Sequence, residues 1–600
     1  MVVDRVEEML RFFASLRMTC LPLVVGFMAF CAATPGGCQD APTVVYGNIS
    51  LKVGYVGSKA CGTCHAPIYE SYLKTDMGRS MALPADPDQL ARIPSRVTVH
   101  DSKLNRYFET FRQGSEIFQS EYELASNGTE VFRNTQKIAY VIGSGANGVG
   151  YIVRQGGYLV EAPLSYYTES KSWALSPGYE LGDYGFSRTV AAGCIVCHSG
   201  QPQPAPGDYG RYNDPPLREL PIACESCHGP GELHVRERTK AAPLAGSTDT
   251  SIVNPAKLSA WLADNICMNC HQASDTRVLQ PGKTYSDFRP GGPLEDTVAI
   301  FALPLTPASP PASPLLEHFS LMKLSKCFTA SGGRMSCLTC HDPHVQPRVN
   351  AAAYYRDRCL ACHTEKSCPL PLRVRNRNTP PDDCAGCHMP RRSLTLISHA
   401  VLTDHRIVRD RTEPYPEAAF HQTTPDLPDL VHVNAVPGSK QPLPPLTVFR
   451  AYGDLLAAHP ELRAAYSRLL DQLARTDPDN LDVLSALGSR SMSEGTPESK
   501  DAAVRYFSRA VQLGSSSVSD YQNLGSLLAD AGRTQEAITV VETGIKLDPY
   551  DERLYKALAV LNISAHRYPQ ALAAMKKDLE LFPEDDFMRS LIEKAQEDGP

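Results

Sequence analysis

The amino-acid sequence predicts an α+β, multidomain protein in which a mostly helical and irregular part with an antiparallel β insert is followed by an α-solenoid. Three observations predict this fold class. The motif Cys-x-x-Cys-His occurs seven times before residue 410. Residues 95–185 lack cysteine and alternate between apolar and polar side chains, and the last 150 residues repeat a helical pattern. A chain of 600 residues is too long for one ordinary core, so several domains are expected.

The first forty residues predict export. Arg11 and Arg17 precede an apolar run, residues 21–33, which is too short to span a bilayer well. Small residues and Cys38 follow, so we expect a signal peptide over residues 1–40 and a periplasmic or other extracytoplasmic location. Cys38 follows Thr-Pro-Gly-Gly and could become the lipid-bearing residue of a lipoprotein, which would anchor the chain to a membrane. Ordinary cleavage nearby is the alternative.

Fourteen of the nineteen cysteines belong to the seven motifs. Two thiols at this spacing bind the vinyl groups of one porphyrin, and the histidine that follows ligates the iron. Zinc sites also use paired Cys-x-x-Cys units, but they need no histidine directly after the second cysteine, and all seven copies have one. We therefore predict seven covalently bound c-type haems. The attachment cysteines are Cys61, Cys64, Cys194, Cys197, Cys224, Cys227, Cys267, Cys270, Cys337, Cys340, Cys359, Cys362, Cys384 and Cys387. The proximal iron ligands are His65, His198, His228, His271, His341, His363 and His388.

Residues 45–446 divide into parts of different composition. A helical stretch, residues 66–81, follows the first motif, and residues 95–185 read as an antiparallel meander with Gly-rich turns. The run from Gly143 to Gly150 lacks the Lys-Ser/Thr ending of a phosphate-binding loop, so a turn is expected there. Six motifs crowd into about 200 residues after position 186, and we expect porphyrins to take the place of a conventional core. Residues 45–410 form this haem domain, and residues 411–446 read as a Pro-rich linker.

Residues 447–600 are helical and repetitive. Gly525, Ala537 and Pro549 are matched 34 residues later by Ala559, Ala571 and Pro583. An earlier copy around Gly488 has about three extra residues, and residues 447–480 read as a degenerate first repeat. The pattern resembles the tetratricopeptide repeat, a helix–turn–helix whose stacked copies form a concave face for a peptide or protein partner. An unrelated helical bundle is the alternative.

A six-coordinate haem needs a second axial ligand, which sets its potential. Residues 50–410 contain six spare histidines, too few for seven haems. Either His421 or His432 of the linker contributes, or some sites use another ligand or stay open. The candidate distal ligands are His234, His344, His399, His405, His318 and Met77, and His100 is the least favoured histidine. For each of them the alternative is an ordinary exposed or hydrogen-bonded side chain.

Two cysteines remain outside the motifs and the N-terminal segment, Cys327 and Cys368. In an oxidising compartment they could pair as a disulfide. The alternatives are buried thiols or, for Cys327, a thiolate ligand to iron.

Several local runs resemble bacterial multihaem cytochromes c. They are Gly57-Ser-Lys-Ala-Cys, Cys-His-Gly-Pro-Gly, Cys-His-Asp-Pro-His, Cys-His-Met-Pro-Arg and Thr403-Asp-His-Arg-Ile. The nearest group joins a haem domain, of the tetrahaem type that partners hydroxylamine oxidoreductase, to C-terminal tetratricopeptide repeats. The resemblance covers about residues 50–410 and 480–585. It implies closely stacked haem pairs, periplasmic electron transfer and distal ligands at His234, His344, His399 and His405. Met77 and Cys327 lie where such relatives can have histidine.

Two functions follow from these expectations. The first is electron transfer through the haems, with the repeats docking a redox partner protein. The alternative is a multihaem oxidoreductase with one open haem that acts on a small nitrogen or sulfur compound, although the chain lacks the Cys-x-x-Cys-Lys motif typical of pentahaem nitrite reductases. A redox-sensing scaffold is a third possibility. The mild formal net charge of −7 gives no indication of nucleic-acid binding.

Overall fold

The structure is a computed structural model, and it describes residues 45–597 except 94, 180, 181, 183, 208–209, 241–247, 308–316, 348–349 and 394–400. The predicted signal peptide, Cys38 and His399 lie outside the described residues. Within the described ranges, no helix is both long and apolar enough to cross a membrane.

The predicted helix over residues 66–81 is shorter than expected. The first helices are α1 (Ser58–Gly62), α2 (Ala66–Tyr72) and α3 (Pro87–Arg92), with the short strand β1 (Met81–Ala82) before α3. Helix α2 ends because the Thr75 hydroxyl donates to the carbonyl of Tyr72 at 2.7 Å and accepts from the amide of Gly78 at 3.0 Å. A threonine that captures a backbone carbonyl in this way competes with the next helical turn. The prediction is therefore wrong beyond Tyr72.

The predicted antiparallel meander is confirmed and extends further than expected. Its strands are β2 (Arg96–Asp101), β3 (Arg106–Gln113), β4 (Glu116–Leu124), β5 (Glu130–Ile142), β6 (Gly148–Gln155), β7 (Tyr158–Glu161), β8 (Leu164–Tyr167) and β9 (Ser172–Leu175). The hydrogen-bonded order is β2-β3-β4-β5-β6-β8-β9, with β1 paired to β5 and β7 paired to β6. Strands β2 and β9 at the two ends approach each other, so the sheet is nearly closed. The turn predicted from Gly143 ends at Gly148, where β6 begins.

Buried apolar side chains fill this sheet. Ile117, Ile138, Val141 and Tyr151 are almost fully buried, and they pack with Phe186 from the segment that follows. The alternating pattern of the strands thus places one apolar face inward, as period-two alternation requires.

The motif-rich segment consists of short helices with small sheets between them. The helices are α4 (Ala192–Ile195), α5 (Glu225–His228), α6 (Glu232–Arg238), α7 (Ala260–His271), α8 (His318–Lys323), α9 (Lys326–Ala330), α10 (Cys337–Cys340), α11 (Ala351–Leu360), α12 (Leu372–Arg375) and α13 (Cys384–His388). The strands are β10 (Gly200–Pro204), β11 (Tyr212–Glu219), β12 (Thr276–Leu279), β13 (Val298–Ala302), β14 (Arg391–Ser393), β15 (Val401–Thr403) and β16 (Val431–His432). They form the antiparallel sheets β10-β11, β12-β13-β16 and β14-β15.

The Pro-rich linker, residues 411–446, packs closely against its neighbours. Its strand β16 extends the sheet through β13, where Ala302 pairs with Val431. Leu430 is fully buried in a cluster that also contains Phe301 and Ala451. The linker therefore joins the sheet β12-β13-β16 to the first C-terminal helix.

The C-terminal helices form paired repeats of the tetratricopeptide type, as predicted. They are α14 (Pro445–Leu455), α15 (Arg463–Thr476), α16 (Leu481–Glu494), α17 (Pro497–Gln512), α18 (Val518–Asp530), α19 (Thr534–Leu547), α20 (Glu552–Ser564), α21 (Tyr568–Leu581) and α22 (Asp586–Glu597). The first helices of successive pairs begin at Leu481, Val518 and Glu552, which are 37 and 34 residues apart. Small residues occupy the crossings, since a Cβ on Gly525 would lie 2.8 Å from a methyl of Val541.

Contacts between the repeats and the rest of the chain include one at the first helix and one between α19 and α20. Thr276 of β12 donates to the carboxylate of Asp454 in α14 at 2.7 Å. The Tyr158 hydroxyl on β7 donates to the carbonyl of Leu547 at 3.0 Å, and its ring meets the edge of Tyr550 at 5.1 Å. From Tyr46 onward the described chain is one compact unit.

Candidate functional site

In most Cys-x-x-Cys-His motifs the chain makes one helical turn between the first cysteine and the histidine. The amide of His65 donates to the carbonyl of Cys61 at 2.9 Å, and His228, His341 and His363 make the same bond to the first cysteine of their motifs. Residues three and four positions apart share one face of a helix. Both thiols and the imidazole of such a motif are therefore presented on the same side. We number the sites 1 to 7 by their histidines, His65, His198, His228, His271, His341, His363 and His388.

The cysteines of all seven motifs are free thiols in the structure. Cys327 and Cys368 are free as well, so the disulfide considered for them is not formed. Cys327 is half-buried, and burial raises the pKa of its thiol above the usual value. The uncharged thiol is thus the favoured form of this side chain.

The fold brings the seven sites into one series. Thiols of different motifs lie close enough to shift each other's pKa in the pairs Cys61–Cys224, Cys197–Cys270, Cys267–Cys337 and Cys359–Cys384. Two further pairs, Cys227 with Cys267 and Cys340 with Cys362, are close enough to interact electrostatically. The sites therefore follow one another in the order 1, 3, 4, 5, 6 and 7, and site 2 lies beside site 4.

Three motif histidines face a histidine from a distant part of the chain. The ring centres of His65 and His234 are 6.4 Å apart, with planes inclined by 20°. Those of His228 and His344 are 6.0 Å apart at 24°. Those of His341 and His405 are 6.2 Å apart at 31°. The structure thus places three of the predicted distal ligands opposite sites 1, 3 and 5.

His318 lies between two sites. Its ring centre is 5.4 Å from that of His271, with the planes at 87°, and 4.2 Å from that of His405. His318 therefore faces site 4 and contacts the ring that faces site 5.

The spacing of these rings matches two imidazoles on opposite sides of one metal ion. A metal–nitrogen bond is about 2 Å long and an imidazole centre lies about 1 Å beyond its nitrogen, so two axial rings have centres about 6 Å apart. The pairs at sites 1, 3 and 5 meet this distance, and the pair at site 4 comes near it. The residues present therefore fit a haem iron at these sites.

Hydrogen bonds fix which ring nitrogen is available. Nδ1 bonds to a backbone carbonyl in four rings: His228 to Val253 at 2.8 Å, His388 to Val408 at 2.8 Å, His405 to Thr403 at 3.0 Å and His318 to His271 at 3.1 Å. The Nδ1 of His234 and of His344 each lies 3.1 Å from an aspartate oxygen, Asp249 and Asp342 respectively. An imidazole that donates from Nδ1 keeps the Nε2 lone pair for a metal, which is the usual outer-shell arrangement of metal-bound histidine.

Desolvation by the surrounding protein favours the neutral form of five imidazoles, although the His271 side chain is itself exposed to solvent. Desolvation lowers the pKa of His271, His318 and His405 to about 4 each. Burial also lowers the pKa of His228 and His234. Neutral imidazole is the form that binds a metal ion.

The segment that carries sites 5 to 7 lacks an apolar core of its own. Among the described residues between Met322 and Val408, no hydrophobic side chain is buried. Ion pairs hold this segment instead, because Arg375 bonds to both Asp382 at 2.5 Å and Glu365 at 2.9 Å. Helices without a core need an apolar filling from elsewhere, and a porphyrin at each motif would supply it.

The structure gives other positions to the remaining candidates. Met77 is half-buried in a 3₁₀ turn. His100 stacks on Tyr107 at 4.3 Å within the large sheet. His432 stacks on Phe301 at 5.3 Å in β16, and the Nε2 of His421 bonds to Glu417 at 2.9 Å. In the described part of the chain, no imidazole stacks opposite the proximal histidines of sites 2, 6 and 7. No group of three or more His, Cys, Asp or Glu side chains there is arranged to hold a bare metal ion.

Sequence reasoning missed the residues that orient the ligands. Asp342 had a local signal, since it lies two residues before His344 and also accepts from that residue's amide at 3.0 Å. Val253 and Asp249 had none, because a backbone carbonyl and a distant aspartate carry no motif.

No protein-family model matches the chain, and the comparison with curated proteins gives no match. Among solved structures the chain is similar to the crystal structure of MamA protein, at 23% identity over 23% of this chain and 74% of MamA, with a TM-score of 0.21. It is also similar to the Arabidopsis OM64 TPR domain, at 17% identity over 20% of this chain and 96% of that domain, with a TM-score of 0.18.

Proposed function

We propose that this chain is an exported c-type cytochrome that carries seven covalently bound haems and transfers electrons between partner proteins. The proposal rests on three pairs of histidine rings, in which His65 faces His234, His228 faces His344 and His341 faces His405. The ring centres in each pair are separated by about the distance between two axial ligands of one iron. Each of these pairs joins a motif histidine to one that follows no cysteine pair.

The chain's own residues have separate roles at each site. The two cysteines of a motif hold the cofactor covalently, and the histidine after them binds one side of the iron. Haem, when bound, supplies a reversible one-electron change at iron. The facing histidines His234, His344, His405 and His318 complete the ligation at sites 1, 3, 5 and 4. Backbone carbonyls such as those of Val253 and Thr403 hold the rings in the ligating tautomer.

The repeats supply the docking part of the proposal. Stacked helical hairpins present an extended face that commonly binds a peptide or protein partner. Because α14 and α19 contact the rest of the chain through Asp454 and Leu547, a partner held on the repeats would stay at a fixed place relative to the haem sites. Export, required for attachment of this haem type, would place the protein in the periplasm, with a lipid on Cys38 as its possible anchor.

Intact mass spectrometry tests the central claim. The mature protein, produced in a host that attaches c-type haem, is expected to carry seven haem masses that survive denaturation. The double variant Cys384→Ser/Cys387→Ser should carry six. The matched control Cys327→Ser/Cys368→Ser removes two cysteines outside the motifs and should keep seven. A purified chain without covalent haem would overturn the proposal.

A second candidate function is a reductase or oxidase acting on a small nitrogen or sulfur compound at site 2. The observation that favours it is that His198 is exposed to solvent and, among the described residues, no imidazole lies opposite it, so a small molecule can reach this site. Low-temperature EPR with and without nitrite or cyanide separates the two functions. A high-spin signal that the added ligand converts, and that is missing from a Cys194→Ser/Cys197→Ser variant, supports an open site. Signals that are all low-spin and indifferent to the ligand support electron transfer alone.

A further inference from the structure

The histidine that faces site 1 is held by a carboxylate. The Nδ1 of His234 lies 3.1 Å from Oδ2 of Asp249 and 3.0 Å from the hydroxyl of Ser251. That hydroxyl donates to Oδ1 of Asp249 at 2.5 Å. Whichever oxygen accepts the Nδ1 proton, the hydrogen bond leads to the negative charge of Asp249.

Asp249 is itself held in place. Its Oδ1 accepts from the amide of Ser251 at 2.9 Å, and its Oδ2 lies 3.5 Å from Nε of Arg238. The side chains of Asp249 and His234 are only 24% and 20% exposed. A shielded carboxylate acts more strongly on its partner than an exposed one, because solvent screens it less. Arg238 balances part of the charge without removing the hydrogen bond to the ring.

The other facing histidines differ in this respect. His405 and His318 bond to the carbonyls of Thr403 and His271, which carry no net charge. His344 does have an aspartate partner, but that pair is 38% and 42% exposed. Site 1 thus has the most shielded anionic partner among the four facing histidines.

A carboxylate on Nδ1 makes the imidazole a stronger electron donor to a metal at Nε2. A stronger donor stabilises the oxidised iron and so lowers the reduction potential. Site 1 also stands at the end of the series of adjacent sites described above. A low potential at one end favours that end as the place where electrons arrive from a donor.

We propose that Asp249 is a positioning residue for His234 and that it holds site 1 at a lower reduction potential than site 5, where the facing ring bonds to a carbonyl. The inference rests on the proposed function, since it needs haem at site 1. It assigns the donor-facing end of the series to that site.

Redox titration of the haem-loaded full chain, followed by optical and EPR spectra, tests the inference. Asp249→Asn keeps the shape and removes the charge. It should raise the reduction potential of one component by about 59 mV. For one electron, this shift changes the oxidised-to-reduced ratio about tenfold at a fixed solution potential. That component should be the one that a Cys61→Ser/Cys64→Ser variant lacks. Asp249→Glu keeps the charge, so the reduction potential of this component should stay within about 20 mV of the wild-type value. That is about a twofold change in its oxidised-to-reduced ratio, since about 59 mV corresponds to a tenfold change.

Glu237→Gln is the matched control. Glu237 lies on the same helix as His234, next to Arg238, and its removal takes away one negative charge without touching the ring. If Asp249→Asn shifts site 1 no more than Glu237→Gln does, or no more than Asp249→Glu does, the inference is wrong. Loss of the low-spin signal of site 1 in Asp249→Asn but not in Asp249→Glu would support the positioning role. A wild-type protein without seven haems would instead contradict the proposed function.

Discussion

The rings of His65 and His234 face each other with centres 6.4 Å apart and planes inclined by 20°, although the two residues are 169 positions apart in the chain. The motif of His65 begins in helix α1 and continues into the turn after it, and helix α6 carries His234. The contact between them is tied by Glu225, whose carboxylate accepts from the amides of Val56 and Gly57 at 2.9 and 2.8 Å. The same carboxylate accepts from the amide of Gly231 at 2.7 Å, so it fixes both segments at once.

The facing of these two rings leads to a spectroscopic prediction. If haem is bound as proposed, His234→Ala should convert site 1 from low-spin to high-spin, because the iron would lose one of its two strong axial ligands. Low-temperature EPR of the oxidised protein measures the change. Intact mass should still show seven haems, since the cysteines are untouched.

His100→Ala is the control for that change. His100 stacks on Tyr107 in the large sheet and faces no motif histidine. The EPR spectrum of His100→Ala should match that of the wild type. If His234→Ala leaves every iron low-spin, or if His100→Ala produces the high-spin signal, the assigned pairing is wrong.

The angles between facing rings predict the shapes of the EPR signals. At sites 1, 3 and 5 the planes differ by 20°, 24° and 31°, whereas at site 4 they differ by 87°. Parallel imidazoles split the iron d orbitals of π symmetry, and perpendicular ones leave them nearly equal in energy. We therefore expect rhombic low-spin signals from three sites and one signal of much larger anisotropy from site 4.

Removal of a single ring checks that assignment. His318→Ala should remove the highly anisotropic signal and leave the rhombic ones. The exposed His421, which bonds to Glu417, offers a control in His421→Ala, and this variant should change no signal. Loss of a rhombic signal alone from His318→Ala would contradict the pairing of His318 with His271.

Haem attachment remains a prediction, and sequence alone can make it because the chemistry is local. Two thiols and an imidazole must lie within one helical turn to reach one porphyrin, so their spacing is written in adjacent residues. The repeats were predictable for a similar reason. A helical pair needs a small residue at its crossing, and Gly525 and Ala559 recur at that place.

The pairing of the sites was not predictable, because it depends on contacts between distant segments. Nothing near His405 indicates that it faces His341 rather than another site. The linker shows the same limitation. Its prolines indicate an irregular segment, but the pairing of Val431 with Ala302 depends on the position of β13. Asp249 has no sequence signal at all, since its role comes from its distance to His234.

Two glycines in the C-terminal helices are predicted to respond in opposite ways to substitution by alanine, and the first lies at the crossing of α16 and α17. A Cβ on Gly488 would lie 2.7 Å from the ring of Phe507, which is fully buried and cannot move aside. Gly488→Ala should therefore destabilise the repeats by about 1–3 kcal/mol. On Gly453 in α14, a Cβ would meet Tyr466 at 3.4 Å, an ordinary contact. Gly453→Ala should stabilise the fold by up to about 1 kcal/mol, through helix propensity.

Urea unfolding followed by circular dichroism measures both glycine variants. The two changes add the same methyl group to a helix, so each serves as the control for the other. Equal effects on the unfolding midpoint would mean that the Phe507 ring does not constrain the crossing.

A buried acid in the last repeat predicts a dependence of stability on pH. Asp578 in α21 is fully buried and faces Asp585, Glu552 and Lys556. Burial and the nearby carboxylate of Asp585 raise the pKa of Asp578 to about 8, and the charge of Glu552 adds to this effect. Asp585 is the ionised partner, because it caps α22 by accepting from the amide of Phe587 at 2.9 Å, and Lys556 lies 3.1 Å away.

The sign of the effect follows from proton binding. Asp578 holds its proton in the folded state up to about pH 8, whereas the unfolded chain releases it near pH 4. Its contribution to stability is complete below pH 4 and is lost as the pH rises to about 8, by at most about 1.4 kcal/mol per pH unit. Asp578→Asn keeps the size and shape of the side chain but binds no proton, so this loss should disappear. The difference between the urea unfolding midpoints of the variant and the wild type should therefore change steadily in favour of the variant from pH 5 to pH 8. Asp530→Asn, at an exposed acid paired with Lys500, should follow the wild type. A constant difference between Asp578→Asn and the wild type across this range would mean that Asp578 is already ionised in the folded protein.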